Sequence, residues 1–312
     1  MRKFSFVFYL ILFIPFLANT QSVEITGSLK VSTAVTDNTA AFVVVRLADG
    51  TFAVRDASSF GAIIPAGVTF GEFLYWDGTQ WVIGSTEVKI GSSAGENSQG
   101  QNAIAIGTNA GSDNQGSTSI AIGLDAGANS QELNAIAIGN GAGLAYQGST
   151  SIAIGRDAGE DSQSPDAVAI GNRAGSYNQG FTSIAIGRDA GYFDQSSEAV
   201  AIGNRAGSDN QGFASIAVGL DAGQTNQSFD AVAIGNGAGE NSQGTAAVAI
   251  GAGAGNTAQH DNSIIINASG NDLNSSGSDG LFIKPIRGVP HGLGEGVLHY
   301  DPTTGEITYS TN

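Results

Sequence analysis

The chain has 312 residues, with 46 Gly, one Met, two Trp, no Cys and a formal charge of −16. Glycine that abundant without a Gly-X-Y triplet excludes collagen, and a hydrophobic content of 41% speaks against a wholly disordered chain. The absence of Cys removes disulfides, thiol chemistry and zinc-thiolate sites, and 12 Lys and Arg against 28 Asp and Glu disfavour nucleic acid as a partner.

The N-terminus reads MRKFSFVFYLILFIPFLANTQS, with basic Arg2 and Lys3, an apolar run from Phe4 to Ala18, and small residues before Gln21. This is the pattern of a secretory signal peptide, too short for a comfortable membrane span, so cleavage is expected near Thr20. Residues 21–85 are expected to form an N-terminal β-rich cap. FVVVRLADGTFAVRD and FLYWDGTQWVIG each read as a hairpin, with Asp49-Gly50 and Asp77-Gly78 at the turns.

Residues 86–270 repeat. Gly recurs every 16 residues from Gly91 to Gly251, and a second Gly, always preceded by Ala, follows four residues after each, from Gly95 to Gly255. Eight residues after each first Gly stands a glutamine: Gln99, Gln115, Gln131, Gln147, Gln163, Gln179, Gln195, Gln211, Gln227, Gln243 and Gln259. Such a period predicts a parallel β-solenoid of about eleven coils, stacked at roughly 4.8 Å and so roughly 50 Å long. The four residues before each first Gly, such as Ala103-Ile104-Ala105-Ile106, place Ile or Val on one strand face and Ala or Ser on the other. Neither face is charged in the regular units, so both are expected to be covered, one by the rest of the coil and the other by a second copy of the chain. The glutamines are expected to stack as a structural amide ladder.

A period of 32 overlies the first. Ser119, Ser151, Ser183 and Ser215 interleave with Ala135, Ala167, Ala199 and Ala231. Two residues after the first Gly, Asp157, Arg173, Asp189, Arg205 and Asp221 alternate in sign, which in stacked coils is a structural charge column that controls register.

These repeats, with their SIAIG and AVAIG strands, resemble the head domains of trimeric autotransporter adhesins, the YadA-like family, over about 60% of the chain. The resemblance implies a left-handed parallel β-roll, three chains packed through their Ile/Val strands, and attachment to host or matrix proteins or glycans. Similar Gln-containing repeats occur in viral and bacterial fibre proteins. The units here are longer and more regular than the family's usual repeat. No coiled-coil stalk or alternating membrane strands follow residue 270, so no direct transmembrane anchor is expected after signal cleavage. Residues 271–312, with LFIKPIRG and GVLHYDPTTGEITYS, are expected to form a C-terminal β-hairpin module turning at Pro302 to Gly305.

Chemistry-bearing residues are scarce. His260, His291 and His299 lack metal-ligand spacing, and no phosphate-binding GK[ST] or calcium-roll GGxGxD motif occurs. No cofactor or metal is expected, and Asn267 and Asn274 fit only generic glycosylation triplets. Aromatic residues gather in the middle coils, where Tyr177, Tyr192 and Phe193, with Phe181, Phe213 and Phe229 at another place in the coil, form a candidate ligand-contact patch beside Arg188 and Asp189. The expectation is a non-enzymatic, secreted or cell-surface adhesin-like trimer. Its alternatives are a fibre subunit acting as a spacer and, more remotely, an ice-binding solenoid, which would need a continuous Thr array where this chain alternates Ser and Ala.

Overall fold

The computed structural model describes residues 42–46, 52–56, 74–77, 79–84, 86–287, 297–301, 303–305 and 307–310. The chain divides into two compact units, Met1–Ile63 and Ile64–Asn312. In the first, strands Phe42–Arg46 and Phe52–Asp56 pair antiparallel, Phe42 opposite Asp56. The expected turn at Asp49-Gly50 and the expected signal peptide lie outside the described residues.

The second unit is built on a parallel β-solenoid, and the described residues contain no helix. Its long sheet has 13 strands, running from Val88–Ile90 through Ile104–Ile106 to Ile264–Asn267 and ending at Leu281–Lys284. Each strand pairs in register with the equivalent residues of the next coil, as in Ile152 with Val168, Ala153 with Ala169 and Ile154 with Ile170. A second, 7-stranded sheet, from Asn129–Gln131 to Thr225–Gln227, stacks the short strands that end in the repeated glutamines. Isolated parallel bridges at Asn97, Asp113, Asn241 and Thr257 carry this second ladder further at both ends. The solenoid thus has about twelve turns spaced about 16 residues apart, the architecture that the period of the repeat requires.

A three-residue strand cannot turn a corner without unusual backbone, and the coil supplies it five times. In the coil that begins at Gly155, positive φ occurs at Gly155 (129°), Asp157 (56°), Gly159 (53°), Ser162 (61°) and Asp166 (59°). Asn, Asp and Gly tolerate this region best, which accounts for their density at the corners. Two glycines have a second reason. A Cβ at Gly171 (φ 133°) would lie 2.5 Å from the carbonyl oxygen of Gly187 in the next coil, and one at Gly159 would lie 2.8 Å from Gln163 Oε1.

The interior between the two sheets is thin. Its apolar lining is alanine, in two columns represented by Ala153 and Ala158, until Ile265 takes the strand position in the last regular coil, where Leu273 and Phe282 pack against the core. Ile and Val therefore point outward. The Ser column is also internal: Ser119, Ser151, Ser183 and Ser215 are fully buried and donate to the carbonyls of Gly116, Gly148, Gly180 and Gly212 at 2.6–2.7 Å.

At the start of the solenoid, strands Leu74–Trp76 and Trp81–Ile83 form the expected hairpin, with Trp76 and Trp81 in edge-to-face contact at 5.8 Å. Asp77 Oδ1 accepts from the backbone N–H groups of Thr79 and Gln80, which holds its carboxyl below the usual range. Lys89 Nζ of the first long-sheet strand lies 5.9 Å from the Tyr75 ring, placing the hairpin against the first coil. At the other end, Val297–Tyr300 pairs antiparallel with Ile307–Ser310.

Candidate functional site

The glutamine column is a set of struts across the interior. Gln147 Nε2 donates to the Ile136 carbonyl of the long sheet at 2.8 Å, and each glutamine from Gln99 to Gln259 makes the equivalent bond across 11 residues. Along the axis, Nε2 also reaches the next glutamine's Oε1 in runs, Gln115 to Gln147, Gln163 to Gln211 and Gln227 to Gln259, at 3.0–3.2 Å. The Oε1 atoms that open each run, on Gln115, Gln163 and Gln227, have no hydrogen-bond partner, nor has that of Gln99. From Gln115 to Gln259 the column is buried, so it is closed to a ligand and serves the fold.

The charge column occupies a corner after the long strand. Arg173 Nη2 lies 2.7 Å from Asp189 Oδ1, and Arg205 forms a bidentate pair with Asp221 through Nε and Nη2 at 2.6 and 2.7 Å. The Arg205 guanidinium is held further towards its charged form by that hydrogen bond and by the Asp221 charge. Asp157 pairs instead with its neighbour Arg156 at 3.1 Å. The carboxylates lie low and the guanidinium groups lie over them: the Asp189 side chain is 12% exposed, those of Arg156 and Arg188 are 61% exposed.

Of the two exposed arginines one position before the column, Arg188 was expected beside the aromatic patch, and Arg156 was not singled out by sequence. With the Asn172 amide oxygen turned towards it, Arg156 donates through Nη2 and Nε at 2.9 and 3.0 Å, and Arg188 makes the same contacts to Asn204 at 3.0 and 2.9 Å. The signal was there in the alternation of Arg156, Asn172, Arg188 and Asn204 with a period of 16.

Of the six aromatic residues expected in one patch, three come together. Tyr177 meets Tyr192 edge-to-face at 5.5 Å and Phe193 at 5.9 Å, and the Arg173 guanidinium lies 5.1 Å from the Tyr192 ring. Tyr177 Oη donates to Glu160 Oε2 at 3.0 Å, and this bond, with desolvation and the Glu160 charge, pushes its pKa up to about 12. Phe181, Phe213 and Phe229 stand at the other end of the short strand, exposed, in a column of their own. The spacing of these residues shows which of them share a column, but not where each column lies round the coil.

The outer face of the long sheet is apolar. Ile154, Ile170, Ile202, Ile234 and Ile250 are each 36–40% exposed, and their first-position partners, such as Ile152 and Val168, are half-buried. Among the described residues no group of three or more His, Asp or Glu is placed to hold a metal ion, and no helix is long and apolar enough to cross a membrane. Comparison of the chain with models of protein families, with curated proteins and with solved structures returns no match.

Proposed function

We propose that the chain is a non-enzymatic, exported adhesin-like protein, in which three solenoids associate through their Ile/Val faces and present their corner columns to a host or matrix protein or a glycan. The observation that carries this reading is the outward Ile/Val ladder. A soluble solenoid would normally turn polar side chains to water there, and a continuous apolar face of this kind marks an association surface.

Its size suits that role. The twelve spacings of about 4.8 Å between its 13 strands, and three residues at about 3.3 Å, give a flat face of about 570 Å², before side-chain relief is counted. Stable interfaces bury about 800 Å² per partner, and the bordering Phe181, Phe213 and Phe229 add apolar area beside it. Three copies of each corner column in one particle would act multivalently on a repetitive surface. The resemblance to trimeric adhesin heads supplies the number three. The buried Ser column removes the hydroxyl array that an ice-binding reading would need.

Light scattering on the purified exported chain, followed by attachment to immobilised matrix proteins and glycans, tests the reading. A mass of three chains and saturable attachment are expected. A stable monomer overturns the association, and a trimer that attaches to none of these surfaces leaves a fibre spacer instead.

A further inference from the structure

Four of the chain's 12 basic residues, Arg156, Arg173, Arg188 and Arg205, fall in four successive coils at one corner. Between Ser92 and Phe282 no other Lys or Arg occurs. All four point the same way along the axis, each gripping a residue one coil onward: Asn172, Asp189, Asn204 and Asp221 respectively. The strip is bounded at each end by an exposed leucine, Leu124 and Leu220, in the same column as Arg156 and Arg188. A charged strip one coil wide and several coils long, closed off by apolar residues, is shaped for a linear ligand laid along the solenoid axis.

Its chemistry selects an anionic, ring-bearing polymer. The nearby carboxylates are already engaged: Asp157 by Arg156, Asp189 by Arg173 with Arg188 at 3.7 Å, Asp221 by Arg205, and Glu160 by the Tyr177 hydroxyl. They lie beneath the guanidinium layer, so the outer surface offers N–H donors and little repulsion. Arg156 and Arg188 are fixed by their asparagines, and a guanidinium fixed in this way has its remaining N–H groups set for a carboxylate fork at little cost in order. They stand two coils apart, about 9.6 Å along the axis, which is close to the advance of two sugars in an extended β- or α-linked chain. Tyr192, half-buried under Arg173 and braced by Tyr177, supplies a ring beside them on which the apolar face of a sugar can rest.

We propose that this corner binds a linear carboxylated polysaccharide, with uronate carboxylates on Arg156 and Arg188 and an intervening sugar against Tyr192. The proposal rests on the attachment reading above and names its ligand class. It explains why the arginines and aromatic rings are confined to the middle coils, where register control alone would be served by pairs anywhere along the roll.

The test is binding of the purified full chain to polygalacturonate, with amylose as the neutral polymer and dextran sulfate as the sulfated one. Binding to polygalacturonate that weakens with salt, with none to amylose, is expected. The double variant R156Q/R188Q should bind about tenfold or more weakly, as truncating a hydrogen-bonded charge contact does. R156K/R188K, which keeps the charge but loses the fork, should fall between. No binding to polygalacturonate, equal binding by R156Q/R188Q, or binding to dextran sulfate alone overturns the proposal. If R156Q/R188Q and the parent chain attach equally well to matrix surfaces while neither binds polygalacturonate, this inference fails and the attachment reading stands. If the parent binds polygalacturonate in solution but attaches to no matrix protein or cell, the attachment reading fails and the site stands.

Discussion

Gln179 spans the solenoid: its Nε2 donates 2.8 Å to the Val168 carbonyl in the opposite sheet, while its Oε1 accepts from Gln163 at 3.0 Å. One buried side chain thus ties two sheets within a coil and two coils to each other. Replacing it removes the bonds to the Val168 carbonyl and from Gln163, leaves Gln195 Oε1 without its donor, and opens a cavity. Gln179→Ala should cost about 2–4 kcal/mol. Gln227→Ala, whose Oε1 has no partner, should cost less. Paired urea denaturation curves measure the difference, and equal midpoints would remove the ladder from the list of stabilising contacts.

Gly171 and Gly270 both have positive φ, 133° and 77°, but only the first faces another backbone. Gly171→Ala should therefore disrupt stacking of its coil, at a cost of at least about 3 kcal/mol, because neither strand can retreat. Gly270→Ala, with open space around its Cβ, should cost about 1 kcal/mol from dihedral strain alone. Thermal unfolding followed by circular dichroism separates the two.

The outward isoleucines predict a variant that unfolds normally and assembles poorly. I170E/I202E places two charges on a face that the monomer leaves partly open, so the thermal midpoint of the isolated chain should move little. A three-chain mass, in contrast, should collapse to one by light scattering, since two buried like charges per chain would meet at the axis. Unchanged assembly would place the association surface elsewhere.

Tyr177 makes the fold sensitive to alkali. Its pKa is raised from 10.0 to about 12, so the folded state favours the protonated phenol. That contribution is complete below pH 10 and is lost as the pH rises through about 12, when the phenolate meets Glu160. Absorbance titration of phenolate should show one late-titrating tyrosine, absent in Tyr177→Phe. A Tyr177→Phe profile identical to that of the parent would contradict the Glu160 bond.

The salt links of the corner should matter little to stability. Arg205→Ala removes a bidentate contact, but the arginine side chain is about half exposed, and such surface pairs contribute about 0–1 kcal/mol, less at high salt. A double-mutant cycle with Asp221→Asn, run at low and high ionic strength, gives the coupling. A coupling that ignored salt would mean the pair is shielded from solvent.

Much of this architecture was legible because a strict period transmits its own register: once Gly155 and Gly171 are equivalent, Ile152 must lie beside Val168. The alternation of Ala and Ile likewise fixed which residues share a face. What sequence could not supply was the path of the coil between strands. That path decides that the Asp189 carboxylate sinks beneath Arg173, and that Phe181 and Tyr177 stand at opposite ends of the short strand. The left-handed corners at Ser162 and Asp166 were visible only as a surplus of small and polar residues. The strand at Leu281–Lys284 joins the ladder 17 residues after Ile264, one beyond the period, so periodicity could not announce it.

The narrow interior of alanine, serine and glutamine has a genetic corollary. Because successive coils present the same narrow cross-section, excision or duplication of one 16-residue unit would leave the sheet hydrogen bonds and the amide struts intact and shift the length by about 4.8 Å. The corner is less forgiving, since Arg173 finds Asp189, and Arg205 finds Asp221, only when units stay in alternating order. Losing one coil there would set like charges side by side; losing two would not. Repeat number in this solenoid is therefore free to drift by pairs, a ruler graduated in steps of about 9.6 Å.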